Sequence, residues 1–259
     1  MDQHASGSSG GQANRRSATL PPAYDLSPAY DDARPLPQGQ EKVAVVRSMF
    51  DSIAPRYDLV NRIMTFSLDR GWRRRTVRSL GLRTGARVLD VACGTGDLCR
   101  ELRAGGARPI GLDLSWGMLA HARTCAPLLQ GDGLALPLPD ACLDGAVSGF
   151  ALRNVADLPV LFTELARVVR PGGRIALLEV AEPKSALLRF GHRAYFGHVV
   201  PWIGALLSDG NAYRYLPRSV AYLPEPGQLL EMLREAGWAK PERFALSGGV
   251  AQLLVGTRQ

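Results

Sequence analysis

Between Arg87 and Val180, short apolar runs alternate with stretches of helical spacing, and that alternation limits the fold more than any other feature of the chain. The runs "RVLDVA", "RPIGLDL", "APLLQGD", "LDGAVSGF" and "GRIALLEV" are separated by segments such as "SWGMLAHAR" and "LPVLFTELARVVR". Parallel strands are buried on both faces and joined by helical crossovers, so they read as continuous apolar runs with helices between. The pattern predicts an α/β fold with a mostly parallel sheet and helices on both faces. "RPGGR", from Arg170 to Arg174, reads as a helix stop and a turn into the fifth strand. A helix "PGQLLEMLREAG" and two more runs, "ERFALSG" and "VAQLLVGTR", bring the strands to seven, and the closing hairpin makes one antiparallel.

A helical prelude comes before the first strand. "EKVAVVRSMFDSIA" carries apolar residues at Val43, Val46, Met49, Phe50 and Ile53, a helical stripe that Pro55 interrupts. "YDLVNRIMTF" and "DRGWRRRTVRSL" read as the next two helices. Residues 1–40 are rich in Gly, Ser, Pro, Asp and Arg and are expected to form a disordered tail. The ordered domain is expected over 41–259, with a mainly helical insertion at about 183–223.

The net charge of +7 would suit nucleic acid, anionic lipid or acidic substrates. No basic run exceeds "RRR" at Arg73 to Arg75, and no N/D-P-P-Y-type motif or basic, aromatic-rich appended domain is present, so nucleic acid is not the expected partner. Cys93, Cys99, Cys125 and Cys142 form no C-x-x-C pair, and no histidine stands at zinc-ligand spacing from them. Reduced thiols without a metal, and a cytoplasmic setting, are the simplest account. The first 40 residues lack the apolar core of a signal peptide, and no stretch approaches the ~20 apolar residues a membrane span needs. The protein is expected to be soluble, or at most peripheral to a membrane.

The glycine turn "DVACGTGDL", Asp90 to Leu98, follows the first strand and opens a helix. Such a turn lets a ligand approach the backbone and meet the unpaired N–H groups of the helix start. A dinucleotide fingerprint requires a third glycine, but after Gly94 and Gly96 the position holds Cys99. Asp90 instead stands just ahead of the turn. Asp113 ends the second strand, where a carboxylate can accept both ribose hydroxyls, and Asp132 ends the third, within reach of an adenine amino group.

Four such features on successive strands resemble the class I S-adenosylmethionine (SAM)-dependent methyltransferases. The likeness sharpens along the chain. "MFDSIAPRYDLVNRIMTF", "WRR", "LDVACGTGDL", "GLDLSWGML", "LPLPD", "FALRNVAD", "RVVRPGGRIALLEV", "YRYLPRSVAYLPEPGQLLEMLREAGW" and "LSGGVAQLLVG" are similar, in order, to the ubiquinone/menaquinone biosynthesis C-methyltransferase family. The match spans roughly residues 47–256. It implies a Rossmann-like fold and SAM held by Asp90, Ala92, Gly94, Thr95, Gly96, Asp113, Leu114, Met118, Asp132, Gly133 and Gly149. It also implies methylation of a ring carbon of a prenylated quinol or phenol, most simply demethylmenaquinol. An aromatic carbon is a poor nucleophile, so an adjacent hydroxyl must ionise and the site must receive its proton and stabilise the phenolate.

Arg153 and Asn154, past the fourth strand in "FALRN", are the leading catalytic candidates: a phenolate-stabilising cation and an amide that fixes the ring hydroxyl or a water. Asp97 caps the helix, touches the amino group of the cofactor or holds a water. His192, Tyr195 and His198 lie in the insertion as further acid–base candidates. "LLRFGHRAYFGHVVPWIGALL" would cover a prenyl tail, meet a membrane interface or pack a homodimer, and a core lid helix accounts for it equally. "WRRRTVR" offers an anionic-lipid contact or a solvated helix face. Three positions depart from the family: Ala151 for its glycine, Gly133 for its alanine, and "LEVAEPK", which adds Glu182. They keep open a methyltransferase for another phenolic or natural-product acceptor; a non-catalytic SAM-binding scaffold is a separate alternative, which the intact Asp90, Gly94, Gly96, Asp113, Arg153 and Asn154 argue against.

Overall fold

The computed structural model describes residues 36–183, 185–186, 189–191, 195, 215 and 218–259. Most of the N-terminal tail, His192, His198 and most of the 187–207 stretch lie outside the described residues. Helix α1 (Gly39–Ile53) leads through a 3-10 turn at Ala54–Arg56, which holds Pro55, into α2 (Tyr57–Met64) and α3 (Leu68–Ser79). The α/β unit follows as β1 (Arg87–Val91), α4 (Asp97–Ala104), β2 (Arg108–Asp113), α5 (Trp116–Ala120), β3 (Leu128–Gln130), β4 (Leu143–Gly149), α6 (Leu158–Val168) and β5 (Val169–Val180). After the insertion, α7 (Pro226–Glu235), β6 (Trp238–Leu246) and β7 (Ala251–Arg258) complete the chain.

The seven strands lie in the order β3-β2-β1-β4-β5-β7-β6. Strands β1 to β5 pair in parallel, and β7 runs antiparallel to both β5 and β6. This is the mostly parallel, doubly wound sheet expected of the apolar runs. One face buries Leu89, Val91, Phe162, Leu177 and Trp238 beneath α6 and α7, and Trp238 donates its indole N–H to the Phe162 carbonyl at 3.1 Å. The other buries Val88, Leu98, Leu102, Val147 and Leu253 beneath α3 and α4. Among the described residues, no helix is long and apolar enough to cross a membrane.

Local boundaries differ from the sequence expectation where pairing overrides propensity. "RPGGR" is not a turn ahead of the fifth strand but an irregularity within it. Val169 pairs with Leu143 and Arg174 with Gly145, so the residues between them bulge while the ladder continues on both sides. Strand β3 is three residues long and α5 five, both shorter than their apolar spacing suggested, and β3 is the sheet edge, paired on one side only.

The helical prelude packs over the carboxyl edge of the sheet. Helix α1 buries Val45, Val46, Met49 and Ile53 against Val60 and Met64 of α2. The Asp51 carboxylate accepts the Ser115 hydroxyl at 2.6 Å and the Gly117 N–H at 2.8 Å. The approach is close enough that a Cβ on Gly117 would stand 2.7 Å from Asp51 Cα, so only glycine fits there.

Candidate active site

The turn from β1 to α4 is built from left-handed backbone, with φ of 55° at Ala92, 55° at Gly94 and 84° at Gly96. Gly94 favours glycine through its φ, and the space where a Cβ would point is open, which leaves room for a ligand to approach the backbone. Its N–H is held at 2.7 Å by Asp113 Oδ2, and Asp113 Oδ1 accepts the Ser115 N–H at 2.8 Å. Asp113 thereby clamps the glycine turn to the end of β2. Burial raises its pKa, an effect the backbone N–H donors oppose. Each oxygen keeps an acceptor site beyond these bonds, because a carboxylate oxygen has two lone pairs.

Asp90 plays a different part. Its Oδ2 accepts the Cys99 N–H at 3.0 Å, one of the unpaired donors in the first turn of α4, where Gly96 offers no capping side chain. Its Oδ1 is buried without a hydrogen-bond partner, and burial lifts the carboxyl pKa to about 7, against the opposing effects of Cys99 and Arg73.

A cleft enclosing roughly 910 Å³ of space, part of it open to solvent, lies between this edge and the prelude. Small-molecule sites span about 300–1,000 Å³. Ala92, Gly94, Asp113, Leu114, Met118, Asp132, Gly133, Gly149 and Asn154 line it, which brings together nine of the residues singled out in the sequence. Asp132 uses one oxygen to accept the Leu134 N–H at 2.9 Å. Val43, Val46, Phe50 and Tyr57 form the apolar wall opposite. Burial raises the pKa of the Tyr57 phenol, so it stays protonated at neutral pH. The free acceptor sites of Asp113 and the opening over Gly94 fit a nucleoside with a short charged chain, as in SAM.

Four expected site residues stand back from the cleft lining. Asp90 lies beneath the turn. Thr95 donates its hydroxyl to Asp58 of α2, and Gly96 packs against Thr124. Asp97 is ion-paired with Arg73 at 3.1 Å and with Arg100. Arg153 is a fifth. Its guanidinium is bound to Glu179 of β5, with the side chains 8% and 0% exposed. Glu179 Oε2 also accepts the Arg153 backbone N–H at 3.2 Å, and Oε1 the Val180 N–H at 2.8 Å. Arg153 therefore braces the 3-10 turn Leu152–Asn154 from behind. Asn154 does reach the cleft, and its side-chain Oδ1 is buried with no hydrogen-bond partner. Tyr195 donates to the Met64 carbonyl at 3.0 Å. Of the departures, Gly133 and Ala151 line the cleft, whereas Glu182 is exposed and does not.

Known proteins settle the family. The ubiE/COQ5 methyltransferase family matches over residues 38–258. The chain belongs to that family. A ubiquinone/menaquinone biosynthesis C-methyltransferase of Syntrophotalea carbinolica is 42% identical, over 82% of this chain and 93% of the relative. A demethylmenaquinone methyltransferase of Deinococcus radiodurans is 44% identical, over 87% and 97%. Among solved structures, a SAM-dependent methyltransferase of Thermotoga maritima, described as a possible histamine N-methyltransferase, superposes with a TM-score of 0.60. It is 18% identical, over 83% of this chain and 100% of that one. Phosphoethanolamine N-methyltransferase 2 of Haemonchus contortus, solved with S-adenosyl-L-methionine, gives 0.53 at 15% identity, over 73% and 52%. At such identities the structures bear on the fold alone. As a family member, the chain is a SAM-dependent methyltransferase with a Rossmann-like sheet.

Sequence reasoning missed Lys42, Asp51, Arg73 and Glu179, all of which shape the site from outside it. Lys42, 5% exposed, donates to the Val155 carbonyl at 2.7 Å and lies 3.7 Å from the Tyr222 ring centroid. Arg73 joins Asp69, at 3.3 Å, to Asp97 and lies 5.7 Å from the Phe150 ring. A signal existed for Glu179: a carboxylate inside the apolar run "IALLEV" demands a buried partner.

Proposed function

We propose that this methyltransferase methylates a ring carbon of a prenylated quinol, demethylmenaquinol first among them, working in the cytoplasm at a membrane surface. The near full-length likeness to a relative named demethylmenaquinone methyltransferase carries the reading. The apolar wall of Val43, Val46 and Phe50 supports it, because it suits an aromatic ring and the first part of a prenyl chain.

When bound, SAM supplies an electrophilic methyl group. Asp113 holds the ribose, the Gly94 turn admits the methionine portion, and Asp132 receives the adenine edge. Asp90 acts through the turn, by fixing the start of α4. The orphaned Asn154 amide oxygen accepts the hydrogen bond of the ring hydroxyl that stays protonated and holds the ring at the sheet edge, while the other hydroxyl ionises. Arg153 works as a positioning residue: its pairing with Glu179 fixes the turn that presents Asn154, and its charge is largely spent on that carboxylate. The hydroxyl proton leaves to solvent at the open end of the cleft, and once the methyl–sulfur bond has broken and the carbon–carbon bond has formed, the proton on the methylated ring carbon follows it, which restores the aromatic ring. The apolar wall shields the attacking carbon from solvent.

The test is transfer from deuterium-methyl SAM to a set of reduced acceptors, with the product mapped by mass spectrometry. The reading requires a carbon-bound label on the quinol ring. Label on oxygen, or on a catechol in preference to the quinol, contradicts it.

A further inference from the structure

The second prelude helix carries more apolar surface outward than a solvent-facing helix requires. Leu59 and Ile63 stand 53% and 39% exposed, Phe66 74% and Leu68 48%. Leu59, Ile63 and Phe66 are spaced by four and then three residues, a single stripe that continues past the helix end. Phe66 and Ser67 both have left-handed backbone, with φ of 50° and 59°. This tight turn pushes the Phe66 ring outward, where it lies 5.5 Å from the Tyr195 ring. A conformation that costs free energy for a bulky residue, and exposes that residue, calls for a compensating contact.

Charge says what the contact is. From Ala54 to Leu80 the chain has seven arginines and two acids. Both acids turn inward: Asp58 accepts the Thr95 hydroxyl, and Asp69, 3% exposed, accepts Thr65 and Arg73. Arg70 is exposed and Arg62 half-buried, Arg74 stands 3.9 Å from Glu101 of α4, and the outward charge around the stripe is predominantly positive. An apolar ridge ringed by arginines is complementary to an anionic bilayer, with rings in the acyl boundary and guanidinium groups among phosphates.

We propose that the outer face of α2 and the turn into α3 dock this enzyme on an anionic lipid surface. The inference extends the prenylated-acceptor reading, on which its purpose rests. The same helix turns Val60 and Met64 into the prelude core and carries Tyr57 to the cleft. Docking therefore sets the cleft about one helix diameter, ~10 Å, from the lipid that dissolves a prenyl tail.

The full chain is sedimented with vesicles of phosphatidylcholine, or of phosphatidylcholine and phosphatidylglycerol in equal parts. Binding is expected to the anionic vesicles and to weaken with salt. Arg62→Gln and Arg70→Gln each weaken it by about fivefold. Leu59→Gln with Ile63→Gln abolishes it, as does Phe66→Asn, which keeps a residue at ease in left-handed backbone. Turnover of a tail-less soluble quinol is measured on the same samples and stays at the wild-type level. The proposal is overturned if the wild type ignores anionic vesicles, if the variants bind as well as it does, or if the variants instead break a dimer that forms without lipid. Vesicle binding by a wild type that fails to methylate the quinol upholds the surface and sinks only the acceptor reading.

Discussion

The Arg153 guanidinium is bound to the Glu179 carboxylate, and neither side chain is more than a tenth exposed. A residue whose sequence position suggests direct contact with substrate is thus held from behind by a strand, while its neighbour Asn154 reaches the cleft. Removing one partner of a buried pair strands the other charge. Glu179→Gln should cost about 3–5 kcal/mol of stability, read by urea unfolding. Arg153→Ala should leave SAM affinity unchanged and lower kcat by about 10- to 100-fold, the effect of a displaced turn. Loss of SAM binding in Arg153→Ala would contradict its positioning role.

Asp113 joins the glycine turn, β2 and α5 through two backbone hydrogen bonds at 2.7 and 2.8 Å. Asp113→Ala removes both, together with the proposed ribose acceptor. Each hydrogen bond to a charged group contributes about 1.5–3 kcal/mol, so SAM affinity should fall at least tenfold. Calorimetric titration with SAM checks this, and an unchanged dissociation constant would remove Asp113 from the site.

Asp90 gives a pH signature. Its pKa rises from 3.8 to about 7, chiefly through burial, so the folded state holds a proton that the unfolded state releases. Its contribution to stability is therefore full below about pH 4 and lost as the pH climbs through 7. Between pH 5 and 8, wild-type Tm should fall relative to Asp90→Asn. The positive charge of SAM also favours the carboxylate, so binding should release a proton near pH 7 and tighten from pH 6 to 8. Calorimetry in buffers of different ionisation enthalpy would detect that proton, and a flat profile would refute the coupling.

Lys42 gives the opposite signature. Burial lowers its pKa from 10.5 to about 8, so between these values the unfolded chain holds the extra proton. The residue's contribution to stability then improves as the pH rises from 8 towards 10. Wild type should gain Tm on Lys42→Met across that range. Parallel curves would mean that the ammonium is solvated and does not clasp Val155 and Tyr222.

The sheet was legible in the sequence because parallel strands are apolar throughout, and the ligand edge because glycine and acid positions follow strand ends. That Asp113, Asp132 and Asn154 line the cleft was readable because each stands at or past the carboxyl end of a strand. The supporting residues were not, because they act across large separations. Lys42 meets a carbonyl 113 residues away, and Arg153 a carboxylate 26 residues away. No local period encodes such pairs. The α1 stripe was half legible: Met49 and Ile53 are core, while Val43 and Phe50 face the cleft, a split that depends on α1 having two apolar neighbours. "WRRRTVR" shows the same limit. Arg73 is buried between Asp69 and Asp97 while Arg74 is exposed, which one run of arginines cannot reveal.

In the proposed reaction, ring ionisation drives carbon methylation in this cleft. The decisive experiment offers reduced and oxidised demethylmenaquinone separately, with labelled SAM, under anaerobic conditions. A carbon-methylated product is expected from the quinol and none from the quinone, which has no hydroxyl to ionise. Equal turnover of both, or no turnover of the quinol by protein shown to bind SAM, would contradict it.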